Sequence, residues 1–119
     1  MKLYLRLLAF FYFIGFILHL ADFFDLRLKF SEMPMGWKTW IVYLGLMDLF
    51  AALGLWYQHS VGVVLFFVVA SSQIIAYVGF KEYFGDQGSL IFFHFATMAI
   101  YLILFKYEDE IRAKFFKGF

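Results

Sequence analysis

Four long apolar runs, separated by short polar segments, make up most of the chain. They extend over about residues 3–24, 39–57, 60–80 and 88–105, and the last two contain no Asp, Glu, Lys or Arg. An α-helix needs about 20 mostly apolar residues to cross the hydrocarbon core of a bilayer. The pattern therefore predicts four transmembrane helices.

The connecting segments indicate how these helices follow one another. Only Gln58 and His59 separate the second run from the third, so these two helices must be antiparallel neighbours. Beyond Lys106 the chain is charged, and Phe115, Phe116 and Phe119 alternate with Lys114 and Lys117, as in a helix that lies on lipid headgroups. We predict an all-α, integral membrane, antiparallel four-helix transmembrane bundle. It forms one domain over residues 1–119 and ends in an amphipathic cytoplasmic tail, 107–119.

Composition agrees with a lipid environment. Hydrophobic residues make up 65% of the chain and charged residues 16%, whereas soluble domains are about half apolar and a quarter charged. The chain has no Cys, which excludes disulfides and thiolate metal sites. A net charge of +1 gives no indication of nucleic-acid binding. No phosphate-binding loop or hydrolase motif is present, so we do not predict an enzyme.

Lys and Arg are distributed unevenly between the two sides of the predicted membrane. The side with both termini and the 58–59 turn has six, and the other side has four: Arg27, Lys29, Lys38 and Lys81. Positive residues favour the cytoplasmic side. We therefore expect a multi-pass protein of the bacterial inner membrane with both termini in the cytoplasm.

Each predicted helix carries one polar residue in the half of the bilayer remote from the termini. These residues are His19, Asp48, Gln73 and His94. Small or polar residues recur beside them at helical spacing, as in the stripe Gly15, His19 and Asp22. Polar groups at such depth are costly, and each is a site hypothesis by default. We predict that the four side chains face one another as a polar cluster.

Three interpretations of this cluster stay open. The side chains can hydrogen-bond one another and only specify helix packing. They can form a ligand pocket or a proton-responsive site, with Asp48 as its charged member. They can also hold a metal or haem through His19 and His94, with Met98 or Asp48 as a further ligand, since imidazole suits haem iron and copper.

Two segments resemble the DoxX-like family of small four-helix membrane proteins. Leu5-Arg6-Leu7-Leu8 opens the first helix, and the run from Leu46 to Leu55 precedes the tight turn and an apolar third helix. Asp48 stands where the family patterns often have Glu. The resemblance implies a link to quinone-coupled sulfur oxidation, redox accessory roles or assembly of membrane partners.

These observations lead to two functional hypotheses. The first is a non-enzymatic accessory or assembly subunit of a larger membrane complex, in contact with lipid and with other membrane subunits or further copies of itself. The second is a ligand-binding or redox-associated membrane protein that uses the polar cluster. Its ligand would be a quinone-like molecule, a metal or a haem.

Overall fold

All the regular structure in the described part of the chain is helical. The computed structural model describes the backbone of residues 1–117 and the side chains of residues 1–108. The elements are α1 (Lys2–Phe23), α2 (Met35–Trp56), α3 (Ser60–Gly79), α4 (Lys81–Phe84) and α5 (Gly88–Lys117), with a short 3-10 helix at Phe30–Glu32. The prediction of an all-α fold is confirmed.

Four of these helices are long and apolar enough to cross a membrane. They are α1, α2, α3 and the Gly88–Glu108 part of α5, each 20 to 22 residues long. At 1.5 Å per residue this length is about 30 Å, the thickness of the hydrocarbon core. Large apolar side chains such as Phe10, Phe13 and Ile17 are exposed, as lipid contact allows. The chain is a multi-pass integral membrane protein, as predicted.

The second helix begins earlier than its apolar run. It starts at Met35, four residues before the expected start near 39, and Pro34 is its N-cap. Pro suits a helix start because it has no N–H to satisfy and its φ angle is already helical. The Lys38 N–H donates to the Pro34 carbonyl at 3.0 Å. Backbone hydrogen bonding thus carries the helix past the charged boundary that hydropathy indicated.

The last helix also extends beyond its apolar run. Its backbone stays helical through Lys117, so residues 107–117 continue α5 without a break. The amphipathic character predicted for the tail depends on side chains beyond Glu108, which lie outside the described residues. In the link predicted at 81–87, the single turn α4 replaces part of the expected loop.

The chain forms two compact units, residues 2–69 and residues 70–119 together with Met1. In the first unit α1 and α2 are antiparallel, because Arg6 lies at Trp56 while Gly15 lies at Asp48. Buried positions in α2 recur three and four residues apart, as in a coiled-coil seam. They include Ile41, Leu44, Asp48, Ala51 and Leu55.

A tight turn joins α2 to α3 in this unit. Gln58 adopts a left-handed φ of 57°, and the His59 N–H donates to the Gly54 carbonyl at 2.8 Å. This arrangement is a Schellman motif, which satisfies the last carbonyls of a helix. It directs α3 back along α2 so closely that a Cβ on Gly54 would stand 2.5 Å from Gly62 Cα. The absence of a side chain at both glycines therefore sets the spacing of the two helices.

The second unit contains the end of α3, α4 and α5. Gly85 has a φ of 79°, a conformation that favours glycine, and it ends α4. The Tyr77 and Phe84 rings pack edge to face with centroids 5.7 Å apart. The Ser71 hydroxyl faces Met98 Sδ at 3.9 Å. Within this unit, α3 and α5 therefore contact each other.

Substitution of Gly62 by Ala should destabilise the protein. The added methyl would overlap the backbone of Gly54, and overpacking of this kind costs about 1–3 kcal/mol. Unfolding of the full chain in mixed micelles of increasing SDS content measures the change. Gly79→Ala is the matched control, because a Cβ there meets nothing within 4 Å. Equal unfolding of the two variants would contradict the close approach of α2 and α3.

Candidate functional site

The Asp48 carboxyl is enclosed between α1 and α2. Asp48 is 4% exposed, and a Cβ on Gly15 would stand only 2.7 Å from its Oδ2 atom. On the other helix, a Cβ on Gly45 would lie 3.4 Å from the Cβ of His19. Small residues on both helices thus bring the two backbones close around the carboxyl.

His19 is the basic side chain that faces Asp48. Its Nε2 atom lies 3.7 Å from Asp48 Oδ2, just beyond the range of a direct hydrogen bond. Asp48 Oδ1 and His19 Nδ1 are both buried, and neither has a hydrogen-bond partner among the described residues. The structure brings these two predicted site residues together while leaving part of their hydrogen-bonding capacity unused.

Tyr12 adds a third polar group that the sequence analysis missed. Its hydroxyl is buried and has no partner within the described part of the chain. The side chain lies within electrostatic range of Asp48, and its ring packs edge-on against Phe66 at 5.8 Å. Tyr12 precedes Gly15 by three residues and His19 by seven, so it extends the polar stripe of α1 by one turn. That spacing was the available signal.

At the C-terminal end of α1, Asp22 is held by Arg27. Asp22 is 1% exposed and accepts hydrogen bonds from Arg27 Nε at 2.8 Å and from Nη2 at 2.7 Å. The hydrogen bond to Asp22 raises the pKa of the Arg27 guanidinium above its ordinary value. Arg27 is therefore a permanent cation, and its half-exposed side chain connects a buried carboxylate to the membrane boundary.

The loop after α1 places Arg27 over this carboxylate. Asp25 adopts a left-handed φ of 59°, and the Leu26 N–H donates to the Ala21 carbonyl at 2.9 Å, closing a second Schellman motif. The Ser31 N–H and hydroxyl donate to the Asp25 carboxylate at 3.0 and 2.9 Å. These hydrogen bonds hold the pKa of Asp25 below its ordinary value. Helical periodicity could not indicate the Asp22–Arg27 pair, because the chain leaves the helix between them.

His19 lies between two carboxyl groups. Its Nδ1 atom is 3.9 Å from Asp22 Oδ2 and its Nε2 atom is 3.7 Å from Asp48 Oδ2. The polar groups thus form a continuous series along one helix pair, from Asp48 through His19 and Asp22 to Arg27. Because both ring nitrogens face an acid, the imidazole can accept a proton on one side and release it on the other.

The remaining predicted site residues belong to the second unit. Gln73 and His94 are buried there, at 6% and 4% exposure. His94 Nδ1 has no partner among residues 1–108, while its backbone carbonyl accepts a hydrogen bond from Thr97 Oγ1 at 3.1 Å. Met98 Sδ faces Ser71. That all four polar residues form one cluster stays a prediction.

Metal ligation was predicted at His19, His94 and Met98. In the part of the chain that the structure describes, no group of three or more His, Cys, Asp or Glu side chains is arranged as metal ligands. The hypothesis of a copper or haem site therefore stays a prediction from sequence.

Comparison with known proteins assigns the chain to a family. A family described as a "family of unknown function", DUF6163, matches residues 1–109. The chain belongs to the DUF6163 family. No curated protein and no solved structure matches the chain. Membership of DUF6163 carries no activity with it, and the DoxX-like resemblance stays a prediction.

For this DUF6163 protein, Arg27→Ala should destabilise the first unit. Removal of the guanidinium leaves a buried carboxylate without its two hydrogen bonds, which costs about 1–3 kcal/mol. SDS-induced unfolding of the full chain measures the loss. Lys29→Ala removes an exposed positive charge from the same loop and should change stability by less than about 0.5 kcal/mol. If the two variants unfold alike, the pair does not stabilise the end of α1.

Proposed function

We propose that this protein is a non-enzymatic, proton-responsive membrane protein in which Asp48 and His19 bind and release a proton inside the α1–α2 pair. The observation that carries the proposal is the state of the Asp48 carboxyl. It is buried, one oxygen has no partner among the described residues, and the facing base is 3.7 Å away. A proton is the simplest ligand that such a pair can take up.

A purely structural role would lead to a different arrangement. Polar side chains that only specify helix packing satisfy one another with direct hydrogen bonds. An insertion cost of about 2.5–3.5 kcal/mol applies to a carboxylate near the centre of a bilayer unless it is paired, hydrated or protonated. Asp48, His19 and Tyr12 all retain an unpartnered buried atom in the described residues. This unused capacity supports a site whose bonding changes with its protonation state.

The series of polar groups also supports a route for the proton. Arg27 is half-exposed at the end of α1 and bonds the buried Asp22, which faces one nitrogen of His19. The other nitrogen faces Asp48. A small rotation of the imidazole, or a bridging water, is enough to close gaps of 3.7 and 3.9 Å. The route would open on the side of the membrane where α1 ends.

Close packing around the carboxyl limits the size of the ligand. Asp48 Oδ2 occupies the place where a side chain at Gly15 would stand. Space of this kind suits a proton or a small hydrogen-bonding molecule better than a quinone-like ligand or a haem. A change of charge at Asp48 acts directly against the α1 backbone, so we expect protonation to alter how α1 and α2 pack.

The broader setting belongs to the same proposal. We place the protein in the bacterial inner membrane with both termini in the cytoplasm, because six of the ten Lys and Arg residues lie on the terminal side. A role as an accessory or assembly subunit stays a prediction. The exposed apolar side chains could contact a partner subunit, but contact with lipid explains them equally well.

Infrared spectroscopy of the full chain in lipid nanodiscs tests the proposal through the C=O stretch of a protonated carboxyl group. We expect one band from a buried carboxyl group, and its intensity should change with pH. This band should be absent in Asp48→Asn. His19→Gln should move the pH at which the band changes, because it removes the facing base.

Glu32→Gln is the matched control, because Glu32 is an exposed acidic residue of the loop after α1. The buried carboxyl band should persist in this variant with the same pH dependence. If Asp48→Asn and the parent protein give the same infrared titration, Asp48 does not exchange a proton and the proposal fails.

A further inference from the structure

Arg6 is a cation on the lipid-facing side of a transmembrane helix. It lies four residues after the first residue of α1, about 6 Å along the helix axis, and its side chain is exposed. An arginine near the end of a transmembrane helix extends its charged head to the membrane boundary. Its guanidinium carbon lies 5.0 Å from the ring centroid of Trp56, so the aromatic face holds the side chain towards the end of α2.

A cleft at this end of the first unit contains a second cation. Lys2 precedes Arg6 by one helical turn on the same face. The cleft has a volume of about 590 Å³. Its lining residues are Lys2, Leu3, Arg6, Trp56, Tyr57 and Gln58. Two positive charges, an amide and two amphipathic rings thus meet around one open space at the membrane boundary.

No protein carboxylate in residues 1–108 neutralises these two cations. Neither Lys2 nor Arg6 forms an ion pair with an Asp or Glu of that range. The Glu108 carboxylate pairs instead with the terminal ammonium of Met1, at 2.6 Å. Within residues 1–108, the positive charge of the cleft is therefore not neutralised by an ion pair.

From this geometry we infer that the cleft binds the phosphate of an anionic phospholipid headgroup. The planar guanidinium of Arg6 matches two phosphate oxygens, and Lys2 adds a mobile point charge. Leu3, Trp56 and Tyr57 supply the apolar and interfacial contacts that acyl chains and glycerol require. These apolar contacts favour a lipid over free phosphate. The inference does not depend on proton binding at Asp48.

Quenching of Trp56 fluorescence by brominated lipids tests the site. The chain has three Trp, so a Trp37→Phe, Trp40→Phe double variant reports on Trp56 alone. In bilayers of phosphatidylcholine with a small fraction of brominated phosphatidylglycerol, we expect stronger quenching than with the same fraction of brominated phosphatidylcholine. Arg6→Gln or Lys2→Gln should each lower this preference about fivefold, the effect of one basic residue at an anionic surface.

Lys38→Gln is the matched control. Lys38 is also a basic residue beside an aromatic ring, since its Nζ atom lies 5.7 Å from the Phe30 ring centroid. It differs from Arg6 in lying at the start of α2, away from the cleft. It should leave the quenching of Trp56 unchanged. Equal quenching by the two brominated lipids, or an unchanged preference in both Arg6→Gln and Lys2→Gln, would overturn the inference. Loss of the preference on addition of millimolar inorganic phosphate would overturn the assignment to lipid.

Discussion

The Asp48 carboxyl group, enclosed by two apolar helices, constrains the packing and the charge of the residues around it. Asp48 can lie against α1 only because position 15 is a glycine, and it can stay there only if a proton or a base balances its charge. His19 supplies the base at 3.7 Å. Small residues let the helices approach, and this approach in turn shields the acid from bulk water. Packing and charge in the first unit therefore depend on each other.

The same condition explains why polar residues extend along one face of α1. Buried Asp22 needs Arg27, and the loop hydrogen bonds of Asp25 and Ser31 fold the chain back so that Arg27 reaches it. At the opposite end of the helix, Arg6 faces outwards and is held by Trp56. One helix thus carries an inward-facing polar stripe and an outward-facing cation. The two proposed ligands, a proton and a phosphate-bearing lipid, would therefore act at different places on this unit.

The sequence allowed the helices to be predicted because lipid imposes a simple length and polarity requirement on each span. It also allowed His19 and Asp48 to be selected, since polar residues stand out in apolar runs. The start of α2 at Met35 was missed because backbone hydrogen bonds continue beyond the hydrocarbon boundary. Arg27 was missed as the partner of Asp22 because the left-handed turn at Asp25, a non-glycine residue, brings Arg27 back over the end of α1. Contacts made through such loops follow no helical period.

The central claim is that Asp48 and His19 share one proton site, and nitrogen NMR of the histidine rings tests it most directly. The full chain, labelled with ¹⁵N-histidine in lipid nanodiscs, has three such rings. The account predicts that Asp48→Asn changes the ring ¹⁵N shifts of His19 and their pH dependence. The ring ¹⁵N shifts of the exposed His59 in the α2–α3 turn should be the same in the two proteins. Identical His19 spectra in the parent protein and in Asp48→Asn would contradict a shared site.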